Sequence, residues 1–296
     1  MRCDPDALEW SDFRLVDTHL HVWDLADPRL TYSYLAPDFV HPQLGDISAL
    51  RRDFSVADFR ADVGRVRVER AVHVQAAFGT ADPYDETLFV DEVMHADAFP
   101  TVMVFNTDLT ATDVDEQIER HTRHPAVRGV RDQRDGDTLW STAYVRGCAR
   151  LVAHGLHLEV EHWDDLSPVA HLANALPELQ VMLDHAGRPS ALDETTRLEW
   201  KHSMEVVAAA PNTWCKISGL DMADPRWTLD RMTPFVETCI EVFGIERCCF
   251  GSNWPVQRMY SSYEVLVTAI RLATSGLSAS EQHALFVGNA ERMYRL

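Results

Sequence analysis

The chain has 296 residues, 46% of them apolar, which is enough for a substantial core and unlike a disordered chain. Its 27 basic and 46 acidic residues give a formal net charge of −19, which argues against nucleic acid and anionic membranes as partners. The start "MRCDPDALEW" lacks the apolar core of a secretory leader, no apolar run is of spanning length, and the six cysteines form no C-x-x-C pair, so a cytoplasmic protein with reduced thiols is expected.

Residues 1–12 read as an extension before the first strand-like run, 13–22. A long connection, 24–54, follows; loops of this length are often lids or binding loops. Strand-like runs recur at 70–77, 101–108, 126–132, 155–163, 179–186, 212–220 and 247–254. Segments with helical apolar spacing lie at 56–67, 86–97, 113–123, 143–154, 195–209, 229–243 and 262–274. The segment "SASEQHALFVGNAERMYRL" reads as a helix that closes one end of the assembly. Eight alternations predict a parallel sheet closed into a (β/α)8 barrel, one α/β domain over 1–296. A doubly wound sheet would usually bring a Gly-rich turn after its first strand, and "THLHVWD" has none.

Alternate residues of a barrel strand point inward, and the helix-facing set should be apolar. In the first strand Val16, Thr18, Leu20 and Val22 are the better helix-facing set, so His19 and His21 point inward. They lie roughly 6–7 Å apart along the strand, at ~3.3 Å per residue. Their place at the C-terminal end is where barrel enzymes carry their sites, and two imidazoles there can share one metal ion or one substrate. In the second strand Gln75 lies near the rim and can hydrogen-bond a substrate. Arg131, late in the fourth, can fork onto a carboxylate or join a salt bridge inside the barrel. In the fifth, Leu156, Leu158 and Val160 form an apolar face, leaving His157, Glu159 and Glu161 inside. An inward carboxylate needs a partner. Glu159 suits an ion pair with Arg131 or Lys216, whereas Glu161 lies nearer the mouth, followed by His162. His185 ends the sixth strand, where position rather than periodicity places it at the rim. Lys216 points inward in the seventh; Tyr34 in the long loop and Trp254 after the eighth are candidate substrate contacts.

The segments "VDTHLHVWD", "VHVQAAF", "VRGVRD", "MLDHAGRP", "CKISGL" and "FGSNWPV" occur in this order. With them the sequence resembles the lactonase-like branch of the amidohydrolase superfamily, amidohydrolase 2, over about residues 13–296. That branch includes fuconolactonase-, rhamnonolactonase- and pyrone dicarboxylate lactonase-like barrel hydrolases. The resemblance implies opening of a small cyclic ester or related carboxylated ring. It carries the histidines of its motifs over to His19, His21 and His185, as catalytic groups or as ligands of one divalent ion, zinc or manganese. It carries the carboxylate-binding arginine over to Arg131. A metal-independent route, in which the histidines polarise the carbonyl directly, is also known in this branch. The expected partner is a small carboxylate or lactone, and homo-oligomer formation is left open.

The branch's strand-eight aspartate falls on Asn253, a departure from the pattern. An amide orients water but is no base near neutral pH. Three readings follow. The base has moved to Glu161, Glu159 or a rim histidine; the reaction is a non-hydrolytic isomerisation or elimination; or the barrel is a catalytically silent ligand-binding protein.

Overall fold

The computed structural model describes residues 3–42, 44–132, 141–161 and 165–296, so His162 lies outside the described part. All eight expected strands are present: β1 (Arg14–Leu20), β2 (Arg67–Val74), β3 (Val102–Phe105), β4 (Val127–Asp132), β5 (His157–Val160), β6 (Val181–Leu183), β7 (Thr213–Ile217) and β8 (Cys248–Phe250). They run parallel and neighbour one another in chain order. Most are shorter than the apolar runs suggest, because the last residues of each run leave the ladder and form the mouth.

Helices α1 (Val56–Asp62), α2 (Tyr84–Asp97), α3 (Val114–Thr122), α4 (Thr142–Ala153), α5 (Ser167–Ala175), α6 (Glu194–Ala208), α7 (Leu229–Phe243) and α8 (Tyr263–Ala273) fill the outer layer. Ser55 and Asp58 form a reciprocal capping box on α1, and Ser262 caps α8, which satisfies the otherwise orphaned N–H groups of a first turn. The sequence pattern does not single out α5: Pro168, Val169, Ala170, Leu172 and Ala173 are buried, so no one-sided stripe marks it. At the C-terminal end, α9 (Ala279–His283) passes through a π turn (Ala284–Gly288) into α10 (Asn289–Tyr294). Tyr294 sends its hydroxyl inward to Glu159 at 2.5 Å, so this helical segment closes the barrel as expected. Among the described residues no helix is long and apolar enough to cross a membrane.

The seam between β8 and β1 is closed largely by side chains. Thr18 donates to the Phe250 carbonyl at 2.6 Å. The buried carboxylate of Asp17 accepts from the Ser252 N–H at 2.8 Å, the His19 N–H at 3.1 Å and the Tyr263 hydroxyl at 2.9 Å. Beyond the strands, the Asn253 N–H reaches the His19 carbonyl at 2.7 Å and the His21 N–H reaches the Trp254 carbonyl at 2.8 Å. A Cβ on Gly251 would lie 2.9 Å from the Cβ of His19, so the two strands approach this closely only with glycine there. The seam therefore fixes His19, His21 and Asn253 relative to one another. Asp17→Ala would orphan three buried donors and is expected to cost about 3 kcal/mol or more, at roughly 1–3 kcal/mol per group. Urea unfolding measures this; a loss below about 1 kcal/mol would show that the seam does not depend on Asp17.

Candidate active site

His19 of β1 and His21 just beyond it hold opposite tautomers. His21 Nδ1 lies 2.7 Å from the Val74 carbonyl, which can only accept, so Nδ1 carries the proton and Nε2 a lone pair. His19 Nδ1 lies 3.3 Å from the Lys216 ammonium, which can only donate, so in His19 the proton is on Nε2. That Nε2–H is buried without a hydrogen-bond partner. Burial pushes the His21 pKa down to about 3 and, with Lys216 adding to it, the His19 pKa well below its ordinary value. Both rings are neutral at pH 7. His185 packs against His19, with ring centroids 4.4 Å apart, and its Nδ1 meets the Ser218 hydroxyl at 2.8 Å. Burial also lowers its pKa, to about 4.

Asp184 and His185 are consecutive, yet both side chains reach the site. The alternation breaks because β6 ends at Leu183 and the backbone turns left-handed at His185 and Ala186, both with φ 52°. Such conformations are rare outside glycine and cluster at functional sites. Asp184 is a site residue that the sequence reading missed. An acid beside an expected site histidine, on a strand of buried apolar residues, was the available signal.

Beneath the imidazoles runs a chain of alternating charge. Glu159 accepts from Lys216 at 2.7 Å; Lys216 lies 2.9 Å from Asp184 Oδ1; Arg131 Nε lies 3.4 Å from Asp184 Oδ2; and Arg131 donates to Glu161 at 2.6 Å. Arg188, also missed in the sequence, donates to the other Glu161 oxygen. Burial alone would raise the Glu161 pKa, but Arg131 and then Arg188 overcome it and hold it at about 2. The Lys216 ammonium is likewise penalised by burial, yet Asp184 and Glu159 keep its pKa above the ordinary value.

These contacts revise several sequence expectations. Glu161 is held by two guanidiniums, which makes it a weak base. Glu159 takes the ion-pair role with Lys216; both are completely buried and sit below the mouth rather than against a substrate. Arg131 donates to the Gln75 carbonyl and to Glu161 and faces Asp184 with Nε at 3.4 Å, so its charge is matched inside the barrel. The Gln75 side chain does not line the cavity; its backbone carbonyl serves instead as the acceptor for Arg131. Trp254 is 1% exposed and turned outward, donating to Asp62 at 3.0 Å and meeting Tyr263 edge-on. Tyr34 does line the cavity, as do His21, His185 and Asn253.

Asn253 has φ 55°, a conformation that asparagine tolerates better than most residues. Its amide oxygen lies 3.2 Å from His21 Nε2. Both would be acceptors, so the contact is satisfied when the amide turns its N–H2 toward His21. The amide thus reads the lone pair that the Val74 carbonyl fixes.

The side chains of His19, Asp184 and His185 place one donor atom each within 4.8 Å of one another, a group of the kind that can hold a metal ion. The donor types fit a divalent ion. The charge does not: the Lys216 ammonium already lies 2.9 Å from Asp184 Oδ1 and 3.3 Å from His19 Nδ1.

The charge chain has a measurable pH signature. Glu161 titrates at its ordinary 4.5 when unfolded and at about 2 when folded, so its contribution is full above pH 4.5 and is lost as pH falls through about 2. This amounts to about 3 kcal/mol. Urea unfolding from pH 6 to 3 is expected to give a smaller loss of stability with acid for Glu161→Gln than for the natural chain. Equal slopes would mean that Glu161 is not held low.

Residues 16–296 match the family model described as Amidohydrolase. A curated protein of uncharacterized function from Sinorhizobium fredii, y4mH, is 32% identical over 301 residues, covering 97% of this chain and all of that one. An L-fucono-1,5-lactonase of Burkholderia ambifaria is 29% identical, with 95% of each chain covered. A crystal structure of an amidohydrolase from Burkholderia multivorans with bound zinc superimposes with a TM-score of 0.82 at 30% identity, covering 96% of this chain and all of the other. A barrel with its charged and imidazole groups gathered at the C-terminal ends of the strands, and a match that runs almost its whole length, make this chain an enzyme of the Amidohydrolase family.

Proposed function

We propose that the enzyme hydrolyses a small cyclic ester. Two things support the reading: the full-length likeness to L-fucono-1,5-lactonases, and three neutral imidazoles gathered at a barrel mouth. The observation that carries it is the fixed tautomer of His21, whose lone pair faces the cavity beside the Asn253 amide.

A water replaces the direct contact between the Asn253 amide and His21 Nε2, accepting from the amide N–H2 and donating one hydrogen to Nε2. As water adds to the ester carbon, its proton passes to Nε2 and the carbonyl oxygen becomes an oxyanion. The guanidinium of Arg188, which lines the cavity, donates toward that charge, so it is stabilised by a fixed group rather than by reorganising solvent. The tetrahedral adduct then collapses. The ring C–O bond breaks, and the proton on His21 goes to the leaving alkoxide oxygen. His185, held by Ser218, fixes the ring of His19. A base of low pKa serves here because the oxyanion raises it as the charge develops. Asn253 is therefore a water-orienting group, and the proton is moved by its neighbour. No step runs through a metal ion, because Lys216 already supplies positive charge at the donor cluster.

Heavy-oxygen water tests the reaction type. One solvent oxygen is expected in the product carboxylate; product formed without it would support an isomerase or lyase, and no product from any lactone a silent binding barrel. His21→Gln is expected to lower kcat by at least about 100-fold. The kcat/KM profile should stay flat from pH 8 to about 5, and in Asn253→Asp the new carboxylate should move its acid limb upward by roughly one to three units. A half-loss near pH 6.5 in the natural enzyme would show that His21 is not desolvated. Metal analysis after chelation is expected to find well under one equivalent of zinc or manganese with turnover retained. Activity that vanishes with the chelator and returns with the ion would overturn the metal-free step.

A further inference from the structure

We infer that the ring taken by this site is uncharged and carries an apolar substituent: an alkyl- or aryl-substituted lactone rather than a polyhydroxylated or carboxylated one. The inference rests on the lactonase reading above and adds the substrate class.

Charge is the first argument. Among the described residues, Lys216, Arg131 and Arg188 are matched by Glu159, Asp184 and Glu161 in direct contact. A substrate carboxylate would bring an extra negative charge to guanidiniums that Glu161 and Asp184 already neutralise, at the cost of its own desolvation, which is unfavourable.

The walls are the second. The cavity has a volume of about 350 Å³. Its polar groups at the strand ends are His21, His185, Asn253, Arg131, Glu161 and Arg188. Above them rise Phe39, Leu44, Ile47, Leu50, Phe78 and Val256. Ser33, Tyr34 and His41 interrupt this wall; Tyr34 sets its ring edge-on to Phe78 at 5.8 Å, and His41 Nδ1 accepts the Leu44 N–H at 3.1 Å. A ring hydroxyl placed against the apolar residues of this wall would lose water without a hydrogen bond in return.

The third argument is that the wall is built in advance. The long loop is tied at both ends by the Trp23–Phe54 bridge, with reciprocal backbone hydrogen bonds of 3.0 and 2.9 Å. Its middle is pinched by a second reciprocal pair between His41 and Gly45. Ile47 and Leu50 are 1% and 4% exposed and belong to the hydrophobic core, which holds the apolar face in place.

The test compares kcat/KM for γ-lactones with chains from methyl to hexyl, for a polyhydroxylated lactone and for a lactone bearing a carboxylate. The expected gain is about fourfold per methylene until the cavity is full, with the hydroxylated and carboxylated rings at least 100-fold slower than the best alkyl lactone. Leu44→Ser should reduce the gain per methylene. Thermal-shift titration with the matching γ-lactams reads the same preference without turnover. A hydroxylated or carboxylated lactone that is turned over fastest overturns the substrate class and leaves the lactonase reading standing. Alkyl lactams that bind in order of chain length, with no lactone opened, sustain the pocket chemistry and defeat the hydrolase. No trend with chain length in either series overturns the inference.

Discussion

Lys216 is the constraint on which the interior depends. Its ammonium is fully buried in the barrel, where charge survives only with close partners. Glu159 and Asp184 supply them, and each of these acids then recruits its own donors: Tyr294 and His157 at one end, Arg131 and through it Glu161 and Arg188 at the other. The same ammonium decides the protonation of His19 and weakens the neighbouring donor cluster as a metal seat. One side chain thus couples the stability of the charged interior to the tautomer of His19.

The strands and the inward histidines of β1 were legible because they depend on a local rule. Alternation along one strand sorts Val16, Thr18, Leu20 and Val22 from His19 and His21, and no other part of the chain is needed. The pairings were not legible in the same way. Arg131 could be read as a substrate group or as half of a salt bridge, and only the position of Arg188, beyond a left-handed turn after β6, shows that Glu161 is shared between two guanidiniums. Trp254 misleads for a related reason. The left-handed backbone at Asn253 turns the next side chain out toward Asp62 and Tyr263, which a count of alternate positions misses. Short helices such as α5, buried on several sides, escape for want of a single apolar stripe.

The amide at 253 looks different once its neighbours are known. In isolation it is a carboxylate that has lost its charge. Beside a histidine whose Nδ1 is committed to the Val74 carbonyl, it is a neutral hydrogen-bonding partner for a lone pair. A carboxylate there would draw a proton onto His21 and remove the acceptor the proposed reaction uses. The asparagine and the tautomer belong together, and neither is interpretable alone.

The charge chain also bears on how the barrel comes together. Glu159 and its partner Tyr294 are 135 positions apart, and Glu159 and Lys216 are 57 apart. A partial barrel that has β5 and β6 but not β7 would hold Glu159 and Asp184 with no ammonium between them. Such a species is penalised for expelling water from its centre. Expelling water from around Glu159 is favourable only with the β7 ammonium in place, which ties the drying of the lumen to the same charges that organise the site.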